Sequence, residues 1–160
     1  MKLLFVGINP GLWTAATQTH FAHPGNRFYP ALKLAKIIDR DLDRAEGMTD
    51  QDRAYLVNRG VGISNLVNRA TSRADELSAT ELREGPLQLE RLVRLWQPEV
   101  VAVASVTAFR TAFSRPRARP GRQPDRLWVV PNPSGLNAHE TIATLASAYA
   151  EPARAAGIIQ

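Results

Sequence analysis

Four short apolar segments, separated by polar and amphipathic stretches, divide this chain. Each is rich in β-forming residues and ends at glycine, proline or polar residues, which is typical of buried strands. They occupy residues 3–6, 60–66, 100–104 and 127–130. The third is uniformly apolar, as expected of a strand that helices cover on both faces.

Helical patterns fill the intervals between these segments. The pattern predicts helices at residues 28–38, 50–58, 78–96, 106–113 and 138–156, with a long loop at residues 12–27. Ser78 and Glu81 have the spacing of a capping box, and Gly85-Pro86 is a potential interruption of the same helix. Pro152 is expected to bend the last helix. This alternation predicts an α/β fold, in which a parallel sheet has helices on both faces. A length of 160 residues suits a single domain, 1–160.

Composition excludes several classes of chemistry. The chain has no cysteine, which excludes thiol catalysis, disulfides and the common structural zinc sites. No apolar run is long enough for a membrane span. The N-terminus leads almost directly into the first strand, without the pattern of a signal peptide. We therefore expect a cytoplasmic protein that is not bound to a membrane.

The net charge of +5 comes mainly from arginine, which favours a polyanionic partner and suits bidentate phosphate contacts. Part of this charge lies in a segment rich in proline and glycine, expected to be an exposed, mobile connection. Its arginines are Arg115, Arg117, Arg119, Arg122 and Arg126. A solvated loop and a phosphate-contacting flap are both open interpretations of this segment.

Two loops are the best candidates for a functional site. Gly7-Ile8-Asn9-Pro10-Gly11 follows the first strand, and Asn132-Pro133-Ser134-Gly135-Leu136-Asn137 follows the fourth. Loops at the carboxyl ends of parallel strands line the ligand crevice of α/β proteins. Each loop sets an asparagine beside a proline, which restricts the backbone around a neutral polar side chain. The sequence therefore predicts two rigid polar loops in one cleft.

Several common chemistries do not fit this cleft. The first loop lacks the third glycine of a dinucleotide fingerprint and the Gly-Lys-Ser/Thr ending of a P-loop. There is no G-x-S-x-G nucleophile elbow. His20 and His23 are three residues apart but lack nearby acidic or cysteine partners, so we expect no metal site at these residues. Neutral donors suit a reaction limited by leaving-group stabilisation and water positioning.

Three motifs in order resemble the mismatch-specific uracil/thymine DNA glycosylase family, part of the uracil-DNA glycosylase superfamily. They are the loop at 7–11, the segment Phe21-Ala22-His23-Pro24-Gly25-Asn26-Arg27-Phe28, and the start of the second loop, 132–136. The similarity continues through 62–67 and 74–78, so it covers nearly the whole chain. The resemblance implies a three-layer α/β/α sandwich with a mainly parallel four-stranded sheet.

The resemblance also implies an activity. Uracil would be flipped out of G:U mismatched duplex DNA and its N-glycosidic bond hydrolysed to leave an abasic site, with tolerance of other damaged bases. The enzyme would be a monofunctional monomer that uses no metal or organic cofactor. The main alternative is a module that binds mismatched or single-stranded DNA without chemistry. A nucleoside hydrolase fits the basic charge and the Leu136 loop less well.

Two side chains are candidates for catalysis. By resemblance Asn9 aligns the attacking water, and because an amide is not a base at pH 7, its role is positioning. Its alternative is a turn-former before proline. Asp75 is the one carboxylate that could approach the cleft, where it would stabilise a cationic transition state or activate water. Its structural alternative is a cap, or a salt bridge to Arg73 or Arg69.

The resemblance assigns substrate contacts to Ile8, Thr14, Phe21, Asn65, Asn132 and Ser134. Phe21 would stack on the flipped base, although it could instead be an apolar plug that closes its loop. The Ile8 backbone would contribute a hydrogen bond in the pocket. Thr14 would lie where a thymine methyl needs room, and its branched side chain would narrow the pocket. Removal of thymine is therefore less expected than removal of uracil. Asn65 stands where some relatives have lysine.

DNA contacts are assigned by resemblance to Gly135, Leu136 and Asn137. Leu136 would fill the gap left by the extruded nucleotide, and its alternative is docking on the closing helix. Backbone groups of its two neighbours would read the unpaired guanine. Two positions after Leu136 many relatives carry an arginine, whereas this chain has Ala138 and then His139.

Overall fold

The computed structural model describes residues 1–42 and 46–160. This part of the chain forms five strands and six α-helices. In chain order they are β1 (Leu3–Gly7), α1 (Leu12–Thr17), α2 (Phe28–Leu34), α3 (Asp50–Asn58), β2 (Val61–Asn65), α4 (Ala79–Trp96), β3 (Val100–Val103), α5 (Val106–Ala112), β4 (Gly121–Arg122), β5 (Leu127–Val129) and α6 (Ile142–Ala155).

The strands form one sheet in the order β2-β1-β3-β5-β4. The four predicted strands are all present and run parallel, which confirms the α/β class. The fifth strand, β4, was not predicted. It is two residues long and pairs antiparallel with β5 at the edge, with Gly121 opposite Val129. So short and polar an edge strand carries no hydrophobic signal in the sequence.

Two cores, one on each face of the sheet, give the fold its three layers. Alternate residues of β1 point to opposite faces. Leu3 and Phe5 pack with buried residues of α2, α3 and α6, whereas Leu4 and Val6 pack with buried residues of α4 and α5. Every residue of β1 is buried, and the first loop leaves from this interior strand, between β2 and β3.

Helix α2 ends at Leu34, four residues earlier than predicted. Lys36 lies in the left-handed region with φ of 64°, and the Ile37 amide donates to the Leu32 carbonyl at 2.9 Å. A second bond joins the amide of Lys36 to the carbonyl of Lys33. This is the bond pattern of a Schellman motif, which stops a helix without needing proline.

The other helix boundaries show smaller differences from the expectation. Helix α3 has the predicted bounds, and α1 occupies part of the segment expected to be a loop. Helix α6 begins at Ile142 rather than near Ala138, because Thr141 caps it and accepts from the amide of Thr144 at 3.1 Å.

Helix α4 runs through Pro86 without a break. A proline disfavours the helical conformation of the preceding residue partly through that residue's Cβ, and here the preceding residue is glycine. Gly85 also packs closely on Leu66, since a Cβ placed on it would lie 3.0 Å from the Leu66 Cβ. None of the helices in residues 1–42 and 46–160 has the length and apolar content needed to cross a bilayer.

Candidate active site

The two candidate loops both leave the carboxyl ends of the parallel strands. Strands β1 and β5 are parallel, separated by β3, and end at Gly7 and Val129. Residues 20–28 connect the loops. A Cβ on Gly7 would lie 3.1 Å from the Phe21 ring, and the Arg27 amide donates to the Pro133 carbonyl at 3.0 Å. The three segments therefore form one continuous surface.

The side chain of Asn9 is held in a single orientation. Its Nδ2 donates to the carbonyl of Arg69 and to the hydroxyl of Thr71, both at 2.8 Å. Both amide hydrogens are thus used within the protein. Its Oδ1 accepts no hydrogen bond from any residue the structure describes. Because the residue is only partly buried, that oxygen is the atom available to a water molecule.

Thr71 anchors this arrangement and was not singled out by the sequence. Its buried hydroxyl donates to the Arg73 carbonyl at 2.7 Å, which leaves the oxygen lone pairs for Asn9. Its amide donates to the Pro10 carbonyl at 3.1 Å. The loop that contains Thr71 is therefore bonded to both the side chain and the backbone of the first loop. A single threonine in a polar stretch gives no signal of this role.

The Arg69 carbonyl is fixed through its own side chain. The guanidinium donates to the two carboxylate oxygens of Glu81, near the start of α4, at 2.8 and 3.0 Å. This hydrogen bonding lowers the pKa of Glu81 to about 2. The Arg69–Glu81 pair therefore fixes the Arg69 carbonyl, which accepts from Asn9, relative to the first turn of α4.

Asp75 lies in the same loop but faces solvent. Its carboxylate is 3.2 Å from the Arg73 Nε, and both side chains are about 70% exposed, at 71% and 69%. The salt bridge to Arg73 named as its structural alternative is present.

Two residues, Asn65 and Phe21, lie against Gly7 at the end of β1. A Cβ on this glycine would lie 2.7 Å from the Asn65 Oδ1 as well as 3.1 Å from Phe21. Phe21 has a φ of 54° and stacks on Phe28, with ring centroids 4.2 Å apart. The partly buried Phe21 ring is thus fixed from behind. A side chain at position 7 would collide with both groups, so the ring and the amide pack directly against the glycine backbone.

Asn65 is buried and contacts His20, which the sequence had not assigned to the site. The Asn65 Nδ2 lies 3.3 Å from the His20 Nδ1, a contact that is a hydrogen bond when that ring nitrogen is unprotonated. Burial lowers the pKa of His20 below its ordinary value of 6.5, so the ring is neutral at pH 7. In the neutral tautomer that carries its proton on Nε2, His20 accepts this bond and orients the Asn65 amide.

The remaining pocket candidates contact the same segments. The Thr14 hydroxyl accepts a long bond, 3.5 Å, from the amide of Ala22, beside Phe21. The Ile8 carbonyl accepts from the Val67 amide at 3.0 Å. These contacts position the loops; they do not by themselves assign a substrate contact.

The second loop is shaped by its own polar side chains. Asn132 Oδ1 accepts from the Ser134 amide at 2.9 Å, and Ser134 Oγ accepts from the Leu136 amide at 3.2 Å. Asn137 Nδ2 donates to the Asn132 carbonyl at 3.1 Å. These bonds hold Leu136 at the tip, where it is 86% exposed. Such exposure excludes docking of Leu136 on the closing helix.

The Arg27 side chain supports the second loop through hydrogen bonds to backbone carbonyls. Its Nη2 donates to the carbonyls of Ser134 and Asn137 at 2.6 and 2.8 Å, and its Nη1 donates to the Glu140 carbonyl. A Cβ on Gly135 would lie 2.7 Å from the Gly25 carbonyl oxygen, so the two backbones are in direct contact. The second loop and the segment that carries Phe21 are therefore joined by direct contacts.

The arginine-rich segment is partly ordered by the fold. It contains β4, and the Arg110 Nε donates to the Ala118 carbonyl at 2.8 Å. Elsewhere, no three histidine or acidic side chains of residues 1–42 and 46–160 are grouped so that they could hold a metal ion.

Comparison with known families adds one match. The model of the family described as the Uracil DNA glycosylase superfamily matches residues 1–152. The matched region contains both candidate loops and all five strands.

Proposed function

The chain belongs to the uracil DNA glycosylase superfamily, whose members are glycosylases that act on DNA, and we propose that it removes uracil from G:U mismatches in duplex DNA. The observation that carries this proposal is the fixed amide of Asn9. Both of its hydrogens are bonded within the protein, and its oxygen is left for water. That arrangement suits hydrolysis in which water is positioned rather than deprotonated by a strong base.

The first step of the proposed reaction is extrusion of the nucleotide. A glycosidic bond inside stacked DNA is out of reach, and a mispaired uracil costs less to extrude than a paired base. The base would be received beside the end of β1, with Phe21 against its face. Asn65 would bond to its polar edge, since a uracil presents both an N–H donor and carbonyl acceptors.

In the second step the bond between C1′ and the uracil nitrogen breaks. Its electron pair leaves with the base as an anion, and the sugar becomes an oxocarbenium-like cation. A water that donates a hydrogen bond to the Asn9 Oδ1 then adds to C1′ through its oxygen and releases its proton to solvent. The neutral amide orients this water, which accounts for catalysis without a general base.

Leu136 would occupy the space vacated by the nucleotide. An apolar tip replaces lost stacking contacts, and its exposure makes it available to the duplex. Backbone groups of Gly135 and Asn137 would face the unpaired guanine.

We further propose that the enzyme leaves the abasic strand intact. Cleavage through a Schiff base requires an amine at C1′. The three lysines of the chain are Lys2, Lys33 and Lys36, and none belongs to either candidate loop.

A strand-cleavage assay tests the proposed function. The protein is incubated with G:U, A:U and G:T duplexes and with single-stranded uracil DNA, and abasic sites are then cut with alkali. We expect the G:U duplex to be converted to abasic DNA, whose strand is cut only when alkali is added. Binding to the G:U duplex with no abasic product would instead support the non-catalytic binding module.

A further inference from the structure

Helix α1 exposes apolar side chains directly after the Asn9 loop. None of its six residues is buried, and Leu12 and Trp13 are 58% and 43% exposed. An indole is large and apolar, and a protein gains stability by covering one. An exposed tryptophan beside a candidate site is therefore a candidate contact for a ligand.

The Trp13 ring is packed against His23. The ring centroids are 5.8 Å apart and the ring planes are inclined at 65°. His23 is itself fixed, because its Nδ1 accepts a hydrogen bond from the Gly25 amide at 3.0 Å. We call this pair of rings the Trp13–His23 surface.

The Trp13–His23 surface adjoins the second loop. The Gly25 carbonyl oxygen lies against Gly135, the residue before the exposed Leu136. On its other side, α1 begins immediately after Pro10-Gly11 of the first loop. The surface is therefore next to both of the elements that the proposed function brings to DNA.

We propose that the Trp13–His23 surface stacks against a nucleobase of DNA next to the flipped nucleotide, an inference that rests on the proposed function. Extrusion of the nucleotide would unstack the neighbouring bases, and because a leucine side chain is smaller than the base it replaces, part of a base face would be left to be covered. Aromatic side chains bind such faces in any sequence, because every base has one. The basic charge of the chain favours the same partner.

Binding to a uracil-free single-stranded oligodeoxynucleotide tests this role apart from excision. Trp13→Ala is expected to weaken binding roughly tenfold, whereas Trp13→Phe keeps most of the affinity because a ring remains. Trp96→Ala is the matched control. Trp96 is 38% exposed and is the last residue of α4. The chain then enters the amino end of β3, whereas the candidate loops follow the carboxyl ends of the strands. Affinity equal to wild type in Trp13→Ala would overturn the proposal.

Tryptophan emission and salt dependence give readouts that a loss of folding does not mimic. The oligonucleotide should quench emission in the wild type and in Trp96→Phe, and this quenching should be lost in Trp13→Phe. The slope of log affinity against log salt should be unchanged in Trp13→Ala, because no phosphate contact is removed. Quenching that persists in Trp13→Phe contradicts the surface. Oligonucleotide binding by a protein that leaves uracil in place would contradict the proposed function and leave the surface standing.

Discussion

Asn9 and Thr71, 62 residues apart in the chain, are joined by a 2.8 Å hydrogen bond from the amide Nδ2 to the hydroxyl Oγ1. Together with the bond from the same Nδ2 to the Arg69 carbonyl, it sets which end of the amide faces outward. Loss of the Thr71 bond would weaken the preference for the orientation that presents an acceptor to water. The catalytic geometry proposed for the first loop thus depends on a buried residue of another loop.

Thr71→Val, which keeps the shape and removes the hydroxyl, tests this dependence. We expect single-turnover excision of uracil to slow roughly tenfold, the effect of losing one hydrogen bond of about 1.4 kcal/mol. DNA binding should change little. Ser72→Ala, at the exposed neighbouring position, is the control. An unchanged rate in Thr71→Val would show that Asn9 does not need this partner.

Leu136→Ala separates extrusion from hydrolysis. The truncation should slow excision from G:U duplex at least roughly tenfold, because the vacated stack is no longer filled. Excision from single-stranded DNA, which needs no extrusion from a stack, should stay near the wild-type rate. Leu95→Ala, at a position 73% exposed on α4, controls for loss of a surface leucine. Equal losses on both substrates would contradict the role of Leu136.

Arg27→Lys should reproduce that pattern without altering the tip itself. One ammonium cannot match the planar fork that reaches the carbonyls of Ser134, Asn137 and Glu140, so the tip loop loses its support. We expect a selective loss on duplex DNA. Combined with Leu136→Ala, the substitution should add little further loss, since both act on one element. Losses that multiply in the double variant would show that Arg27 acts elsewhere.

His20 should make stability depend on pH. Because its pKa is lowered by burial, the unfolded chain binds a proton more readily than the folded protein as the pH falls below 6.5. Stability should therefore be full above pH 6.5 and decline until the folded His20 is itself protonated. His20→Gln should flatten the fall in thermal midpoint between pH 7 and 5, whereas His139→Gln, at an exposed position, should not. A wild-type profile in His20→Gln would contradict this assignment.

The positions of β1 and β3 were predictable because burial on both faces leaves continuous apolar runs in the sequence. Helix ends were less predictable, since they depend on the backbone. Helix α2 stops where Lys36 adopts a left-handed conformation that lysine does not announce, and α4 continues because Gly85 removes the conflict with Pro86.

The candidate loops were found because glycine, proline and asparagine cluster in them. What the sequence missed are the partners of those loops. Thr71, Arg27 and His20 are distant in the chain, and each acts through a hydrogen bond formed only when the fold brings segments together. Local patterns carry no record of such bonds. Asp75 shows the converse, since a carboxylate near the loops in sequence pairs with Arg73 at the surface.

Single-turnover excision of uracil from a G:U duplex by Asn9→Ala, compared with Asp75→Asn, tests the central claim most directly. We expect Asn9→Ala to lose roughly 10²- to 10³-fold in rate while still binding the duplex, because the water is no longer oriented. Asp75→Asn should react at close to the wild-type rate, since its carboxylate is paired with Arg73. Full activity in Asn9→Ala, with loss in Asp75→Asn, would contradict the account and move the catalytic role to the carboxylate.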